Sequence, residues 1–233
     1  MYGITYREKH SFRNFGVTIL NTRIIQSPAK KKIFATVPFM QGSYDFSNLY
    51  NGPCFQERIL EYEFLVKATS SERLEIKRMQ LEEWLLMANE KTILRDDNLP
   101  SYHYMAECSE VEFEEINNIG KMRVVFTAYP FKIHDEYEGE LLWDSFNFEM
   151  DCLQETAFTV KDELQITIYN QGSVNVTPII ISSADMKIIK GNATYNVLKG
   201  TTNDYQFELN VGENNIVIRG NGAIEFKFRK EVL

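Results

Sequence analysis

The chain has 233 residues, 44% hydrophobic and 13% aromatic, with six prolines and no low-complexity tract. That size suits one large domain or two small ones, and the composition excludes a disordered chain. The net charge of −8 is uneven, with 9 Lys and Arg against 5 Asp and Glu in residues 1–70 and 16 against 28 in residues 71–233. An acidic total of this kind argues against nucleic-acid recognition over most of the surface. The opening MYGITYREKHSFRNFG has no apolar core of a signal peptide, and no window approaches the ~18 apolar residues of a membrane span, so no membrane association is expected. Three widely spaced cysteines, Cys54, Cys108 and Cys152, read as reduced thiols of a protein made in the cytoplasm.

In chain order, Gly16–Leu20 and Arg23–Ile25 read as short strands. The basic run Lys30-Lys31-Lys32 follows, read as a solvated patch or as a contact for nucleic acid or an acidic protein face. Val37 to Gly52, VPFMQGSYDFSNLYNG, carries a proline, two glycines and one charge, Asp45. It has neither strand nor helix periodicity and suits a catalytic loop or a contact surface. Arg58–Val66 alternates as a strand should. From Ser71 the period lengthens: Leu74, Arg78, Leu81, Leu85 and Ala88 recur at three- and four-residue steps, with Ile76, Met79 and Trp84 widening the stripe. Ser70 or Ser71 caps this helix, predicted over residues 71–89, and Glu72 and Glu75 favour its N-terminal dipole.

Strands return at Lys91–Arg95, Tyr102–Ala106, Glu110–Glu114 and Met122–Tyr129. Between Asp135 and Glu163 stand ten acidic residues and one basic, Lys161. This composition shift sets the predicted organisation: an N-terminal domain over 1–134, an acidic linker over 135–142 and a C-terminal domain over 143–233. The last part reads entirely as short strands divided by Gly and Asn turns, among them Asn170-Gln171-Gly172, Lys190-Gly191-Asn192 and Gly220-Asn221-Gly222. With no room for crossover helices, an antiparallel β-sandwich follows. The predicted class is therefore mainly β, with one main helix in an α+β first half.

Nothing in the sequence supports catalysis, a metal or a cofactor. His10, His103 and His134 are far apart and outside any motif, and there is no Gly-x-Ser-x-Gly, Cys-x-x-Cys or His-x-x-x-His. Asp96-Asp97-Asn98 lacks the spaced ligands of a calcium loop and reads as a polar turn before Pro100. Gly220-Asn221-Gly222 lacks the lysine of a phosphate loop and reads as a hairpin turn. The sequon Asn192-Ala193-Thr194 reads as a turn beside a strand. A binding or structural protein remains.

Several segments together resemble one family. They are His10-Ser11-Phe12 leading to Phe15-Gly16-Val17, the Lys-rich stretch after Ser27-Pro28, Val37-Pro38, and Gly42-Ser43-Tyr44-Asp45-Phe46-Ser47. The helix ending in Trp84-Leu85, Arg95-Asp96-Asp97 and Phe126-Thr127-Ala128-Tyr129-Pro130-Phe131 continue the series. Gly212–Ile216, Gly220–Phe226 and Phe228–Val232 complete it. Their order and spacing, from about residue 10 to 233, resemble the distal tail proteins (Dit) of long-tailed siphophages. Phe39-Met40-Gln41 departs from the pattern, which has a Gly-rich turn with an acidic residue there.

The resemblance implies a structural hub in the virion, at the phage tail tip, synthesised in the bacterial host cytoplasm. Six copies would form a ring, a homo-hexamer, at the end of the tail tube and hold tail-tip or baseplate proteins: a tail-associated lysin or tip protein and a receptor-binding protein. The N-terminal domain would build the ring and the C-terminal domain would be a galectin-like β-sandwich. Under this reading Val37–Gly52 is a contact segment, with Phe39, Tyr44, Phe46 and Tyr50 as candidate interface residues. The alternative is a carbohydrate-binding module of the tail tip that reads the host wall. Trp143 is the one tryptophan near the C-terminal domain that such a module would stack on sugar.

Overall fold

The computed structural model describes residues 2–36, 38–39, 41–47, 53–116, 119–140 and 152–233. The chain divides into two compact units, Met1–Lys132 with Leu233, and Ile133–Val232.

The first unit contains β1 (Ile4–Tyr6), β2 (Lys9–His10), α1 (Ser11–Phe15), β3 (Thr18–Ile25), β4 (Phe34–Ala35), β5 (Tyr44–Asp45), β6 (Arg58–Lys67), α2 (Ser71–Leu86), β7 (Thr92–Asp96), β8 (Tyr102–Ile116) and β9 (Ile119–Ala128). Seven strands form the main path of one sheet in the order β2-β1-β7-β8-β9-β6-β3, and each of these neighbouring pairs is antiparallel. Alternation decides its faces. Leu60, Tyr62, Phe64 and Val66 of β6 and Met122, Val124, Phe126 and Ala128 of β9 all point into one buried cluster with Leu74, Leu81, Trp84 and Leu85 of α2. The opposite face carries charge. Arg123 binds Glu61 at 3.0 Å and Glu112 at 3.2 Å, and Lys121 binds Glu63 at 2.7 Å, so cross-strand ion pairs replace apolar packing there.

α2 begins where predicted. The Ser70 hydroxyl accepts from the Arg73 amide at 3.3 Å, and Glu72 lies in the first turn. It ends at Leu86, three residues before the predicted end, and its last turn has no basic residue. Arg7 supplies that charge from outside, donating to the carbonyls of Glu83 at 3.4 Å and Trp84 at 3.0 Å. The inner face is narrower than predicted, since Ile76 and Met79 are exposed. Trp84 organises it: its ring stacks on Phe15 and Phe64, meets Tyr6 edge-on, and donates to the Tyr6 carbonyl at 2.8 Å.

Three of the strand assignments need correction. The two short strands near the N-terminus are one, β3, with a register shift between Ile19 and Arg23. The segments before and after Cys108 are likewise one strand, β8, with a bulge between Cys108 and Glu110. A bulge interrupts side-chain alternation without ending the strand, so it reads as a boundary in sequence. β1, β2 and α1 are additional elements. α1 is capped by His10, whose Nδ1 accepts from the amides of Phe12 and Arg13.

β10 (Lys132–His134) spans the division, and the second unit continues with β11 (Ala157–Asn170), β12 (Ile179–Ser182), β13 (Met186–Lys190), β14 (Ala193–Val197), β15 (Gly200–Thr202), β16 (Gly212–Lys227) and β17 (Glu231–Val232). β17 pairs with β10. The third correction lies here: Gly220-Asn221-Gly222 is no hairpin turn but the middle of β16, which pairs with β11 without interruption from Gly212 to Glu225. Gly220 and Gly222 have φ of +146° and +142°, a region that side chains avoid. They bend the ribbon, and a Cβ on Gly222 would lie 2.4 Å from the Ser183 hydroxyl. Opposite the bend, Asp162 (φ +63°) exchanges hydrogen bonds with Asn221.

Beyond the bend the free edge of β16 changes partner. β13 pairs along Val217–Arg219, and β12 pairs along Ile224–Lys227. The two halves thus become two leaves, β13–β14 on one and β12–β15 on the other, around a single core that includes Ile168, Ile188, Ile218, Ile180 and Phe226. This is a β-sandwich whose corner is one continuous strand.

The acidic stretch expected as a linker over 135–142 is described as far as Glu140 and is bonded into the second unit. The His134 and Glu138 amides donate to the carbonyls of Lys230 and Phe228, each at 2.9 Å. Glu140 binds Lys227 at 2.9 Å, and Arg229 lies 4.3 Å over the Tyr137 ring. Glu140 and Tyr137 thus meet cations close to the C-terminus, which composition along the chain does not reveal. Among the described residues no helix is long and apolar enough to cross a membrane.

Candidate assembly surface

Between β3 and β6 the chain does not close a short hairpin. Gln26 donates to the Ile59 carbonyl at 3.1 Å, Gln56 to Ala29 at 2.7 Å and Lys31 to Cys54 at 2.7 Å. The ladder of β3 and β6 therefore continues outward as a two-stranded arm. Further along, β4 pairs with β5, Phe34 opposite Asp45 and Ala35 opposite Tyr44. The Phe46 amide donates to the Ile33 carbonyl at 2.8 Å, and the Ser47 hydroxyl accepts from Ile33 at 2.9 Å. Lys32 binds Asp45 at 3.0 Å. The Asp45 carboxyl is held down to about 2, first by the Ser47 hydroxyl, then by the Ser47 amide and by Lys32. A two-stranded ribbon has little core of its own, and these polar bonds fix its pairing.

The arm displays apolar side chains to solvent. Phe39 is fully exposed and Tyr44 is 55% exposed; Phe46 is 42% exposed, and its ring centroid lies 6.1 Å from that of Tyr44. Sequence reasoning named these three as interface candidates, and the fold places them on one arm. Tyr50, the fourth, lies outside the described residues, as does Trp143. Ile33 and Phe34, 44% and 59% exposed, belong to the same surface and were not singled out. Their signal was their place directly after Lys30-Lys31-Lys32 in a stretch too short to show strand alternation. At the root of the arm, Phe55 meets Phe131 edge-on at 5.6 Å.

The root is also tied to the sheet by a buried carboxylate. Asp96, at the end of β7, accepts from Arg23 of β3 at 2.8 Å, from the Tyr62 hydroxyl of β6 at 3.0 Å and from the Asn98 amide at 2.9 Å. β7 and β3 are not neighbours in the sheet. These bonds therefore close the curled sheet across its inner face. Burial, followed by the Asp96 charge, pushes the Tyr62 hydroxyl well above the usual tyrosine value. Asp97 takes the Gly3 amide at 2.9 Å and His10 Nε2 at 3.1 Å. Asp96-Asp97-Asn98 is thus a structural turn whose oxygens are occupied by the protein itself.

The groups tested for chemistry do not converge. His10 caps a helix, His134 bonds to Glu136, and His103 is buried. Burial pushes the Cys108 thiol up to about 12, which removes its nucleophilic form at neutral pH. Among the described residues no group of three or more His, Cys, Asp or Glu side chains is placed to hold a metal.

No family model matches the chain, and no curated protein does. A solved structure does match along its whole length: the crystal structure of SPP1 Dit (gp 19.1), described as a paradigm of the hub adsorption apparatus of phages infecting Gram-positive hosts. The TM-score is 0.61 at 12% identity, with both chains covered in full. The chain has the Dit fold from end to end, a mainly β architecture.

Proposed function

We propose that this chain is a non-enzymatic hub of a long non-contractile phage tail. Six copies form a closed ring at the end of the tail tube, and the ring holds the tail-tip or baseplate proteins, among them a tail-associated lysin or tip protein and a receptor-binding protein. Its place is the virion tail tip. The end-to-end Dit fold supports a hub, and one local observation carries the assembly reading: an extended arm that exposes Ile33, Phe34, Phe39, Tyr44 and Phe46. Apolar groups of this size concentrated on a thin ribbon have little to bury against within the arm, and aromatic side chains are the usual anchors of protein interfaces. A ring of identical subunits needs one surface of each copy to meet a different surface of the next, which an arm and a body provide.

The test is light scattering over a concentration series, on the parent and on a Phe39→Ser, Tyr44→Ser double variant. The parent assembles as concentration rises. The double variant stays monomeric with an unchanged melting transition, since both side chains are exposed in the monomer. Equal assembly by both proteins removes the arm from the interface.

A further inference from the structure

We infer that the arm of one copy docks on the outer face of α2 of the next copy, with Phe39 entering a cleft beside Trp84. The inference rests on the reading of the arm as an interface and names the surface that receives it. α2 buries Leu74, Leu81 and Leu85 against the sheet, yet it carries a second apolar stripe. Ile76, Met79, Leu86 and Met87 are 49%, 61%, 44% and 65% exposed. At ~100° per residue these positions fall on the side away from the buried one, with Glu72 and Glu83 among them. A helix that serves only its own core needs one stripe. Against the same stripe opens a cleft of about 210 Å³, lined by Arg7, Lys9, Gln80, Glu83, Trp84 and Met87.

Three features fit the arm to this face. The first is strain. Phe39 has φ of +67° and is fully exposed, so a bulky residue adopts a left-handed backbone to hold its ring in water. Neither cost is recovered within one chain, which is the pattern of a preset contact. The second is the lining. An aromatic ring in the cleft would lie against Met87 and the Trp84 edge under the cations Arg7 and Lys9, an environment that suits a π face. The third is charge. Lys32 is matched by Asp45, whereas exposed Lys30 and Lys31 have no ion-pair partner among the described residues. They would meet Glu72 and Glu83. Arm and helix face are different surfaces of the same unit, so the contact is heterologous and repeats from copy to copy.

The test uses the full chain with Cys54 and Cys152 replaced by Ser, and with Gln41→Cys on the arm and Gln80→Cys at the cleft. Both added thiols stand at exposed positions. A short bismaleimide is applied at a concentration where light scattering shows assemblies. The prediction is a ladder of covalent multimers on a denaturing gel. Either variant carrying only one of the two added cysteines gives no ladder beyond a dimer. Assemblies without a ladder overturn the acceptor face and leave the hub reading standing. A fast-migrating monomer alone means that the arm closes on its own helix, which also overturns the inference. No assembly at any concentration overturns both. A second variant needs no cross-linker: Met79→Glu with Met87→Glu should weaken association at least ~10-fold with the melting transition unchanged. Unweakened association contradicts the inference.

Discussion

Replacing Asp96 with Asn keeps the shape of the side chain and changes its hydrogen bonding. Oδ2 accepts from Arg23 and Tyr62, and Oδ1 accepts from the Asn98 amide. An Asn retains one acceptor. If its NH₂ takes the place of Oδ2, Tyr62 can turn to accept, but Arg23 faces a donor. If it takes the place of Oδ1, the Asn98 amide is orphaned. Either way one bond to a buried charge is lost and another is weakened. Bonds to charged groups contribute ~1.5–3 kcal/mol each. The Arg23 side chain is 31% exposed, so its share is reduced by solvent screening. The expected loss is about 2–4 kcal/mol. Urea titration followed by tryptophan fluorescence measures it, with Trp84 reporting on the first unit. Tyr62→Phe should cost about 1.5–3 kcal/mol, and the double variant should cost less than the two added together, because both act on one carboxylate. A loss under ~0.5 kcal/mol for Asp96→Asn would refute the claim that this group closes the sheet.

Leu81→Ala should destabilise the first unit by about 2–5 kcal/mol, whereas Ile76→Ala, on the exposed face of the same helix, should change the unfolding midpoint little; equal effects would mean the helix faces are misassigned. Gly222→Ala should cost the second unit about 1–3 kcal/mol from backbone strain alone, before the clash with Ser183 is counted, and a chemical denaturation curve matching the parent would show that the bend needs no glycine. Alkali should unfold the first unit early. Tyr2, held up to about 12, and Tyr6, Tyr62 and Tyr104 all lie above the ordinary tyrosine value, in each case first through burial. The folded chain keeps protons that the unfolded chain gives up, so this stability is fully present below about pH 10 and is lost as pH rises further. Melting temperatures across that range should fall, and less steeply in Tyr62→Phe; a flat profile would contradict the burial of these hydroxyls.

What was legible in the sequence was periodic. The alternation of Arg58–Val66 and the three- and four-residue spacing of Leu74, Leu81 and Leu85 set out β6 and the buried face of α2 because a single packed face imposes one period. Ile76 and Met79 have the same hydrophobicity but stand on the far side of the helix, and a broad stripe in sequence does not separate the two faces. Gly220-Asn221-Gly222 failed for a different reason. A tight turn and a bent strand ask for the same residues, and what decides between them is β11, whose paired residues lie about sixty positions earlier. Asp96 is illegible for the same cause: its partners Arg23 and Tyr62 are 73 and 34 residues away. Phe39, Tyr44 and Phe46 could be named as interface candidates because aromatics amid Gly, Pro and Ser have no periodic core to join. Ile33 and Phe34 were passed over because two apolar residues after a lysine run give no pattern. The acidic stretch after Asp135 shows a composition shift, but the basic residues that bind it, Lys227 and Arg229, stand some ninety positions on.

A hub role requires identical copies of this chain to close into a ring. Mass and shape measured together on one preparation test it most directly: light scattering on the full chain over a concentration series, with negative-stain images of the same samples. A closed hexamer gives a limiting species of about 163 kDa, six times 27.2 kDa, seen as a six-fold ring with a central hole. A chain that stays at 27.2 kDa at every concentration and does not join purified tail tubes would contradict it.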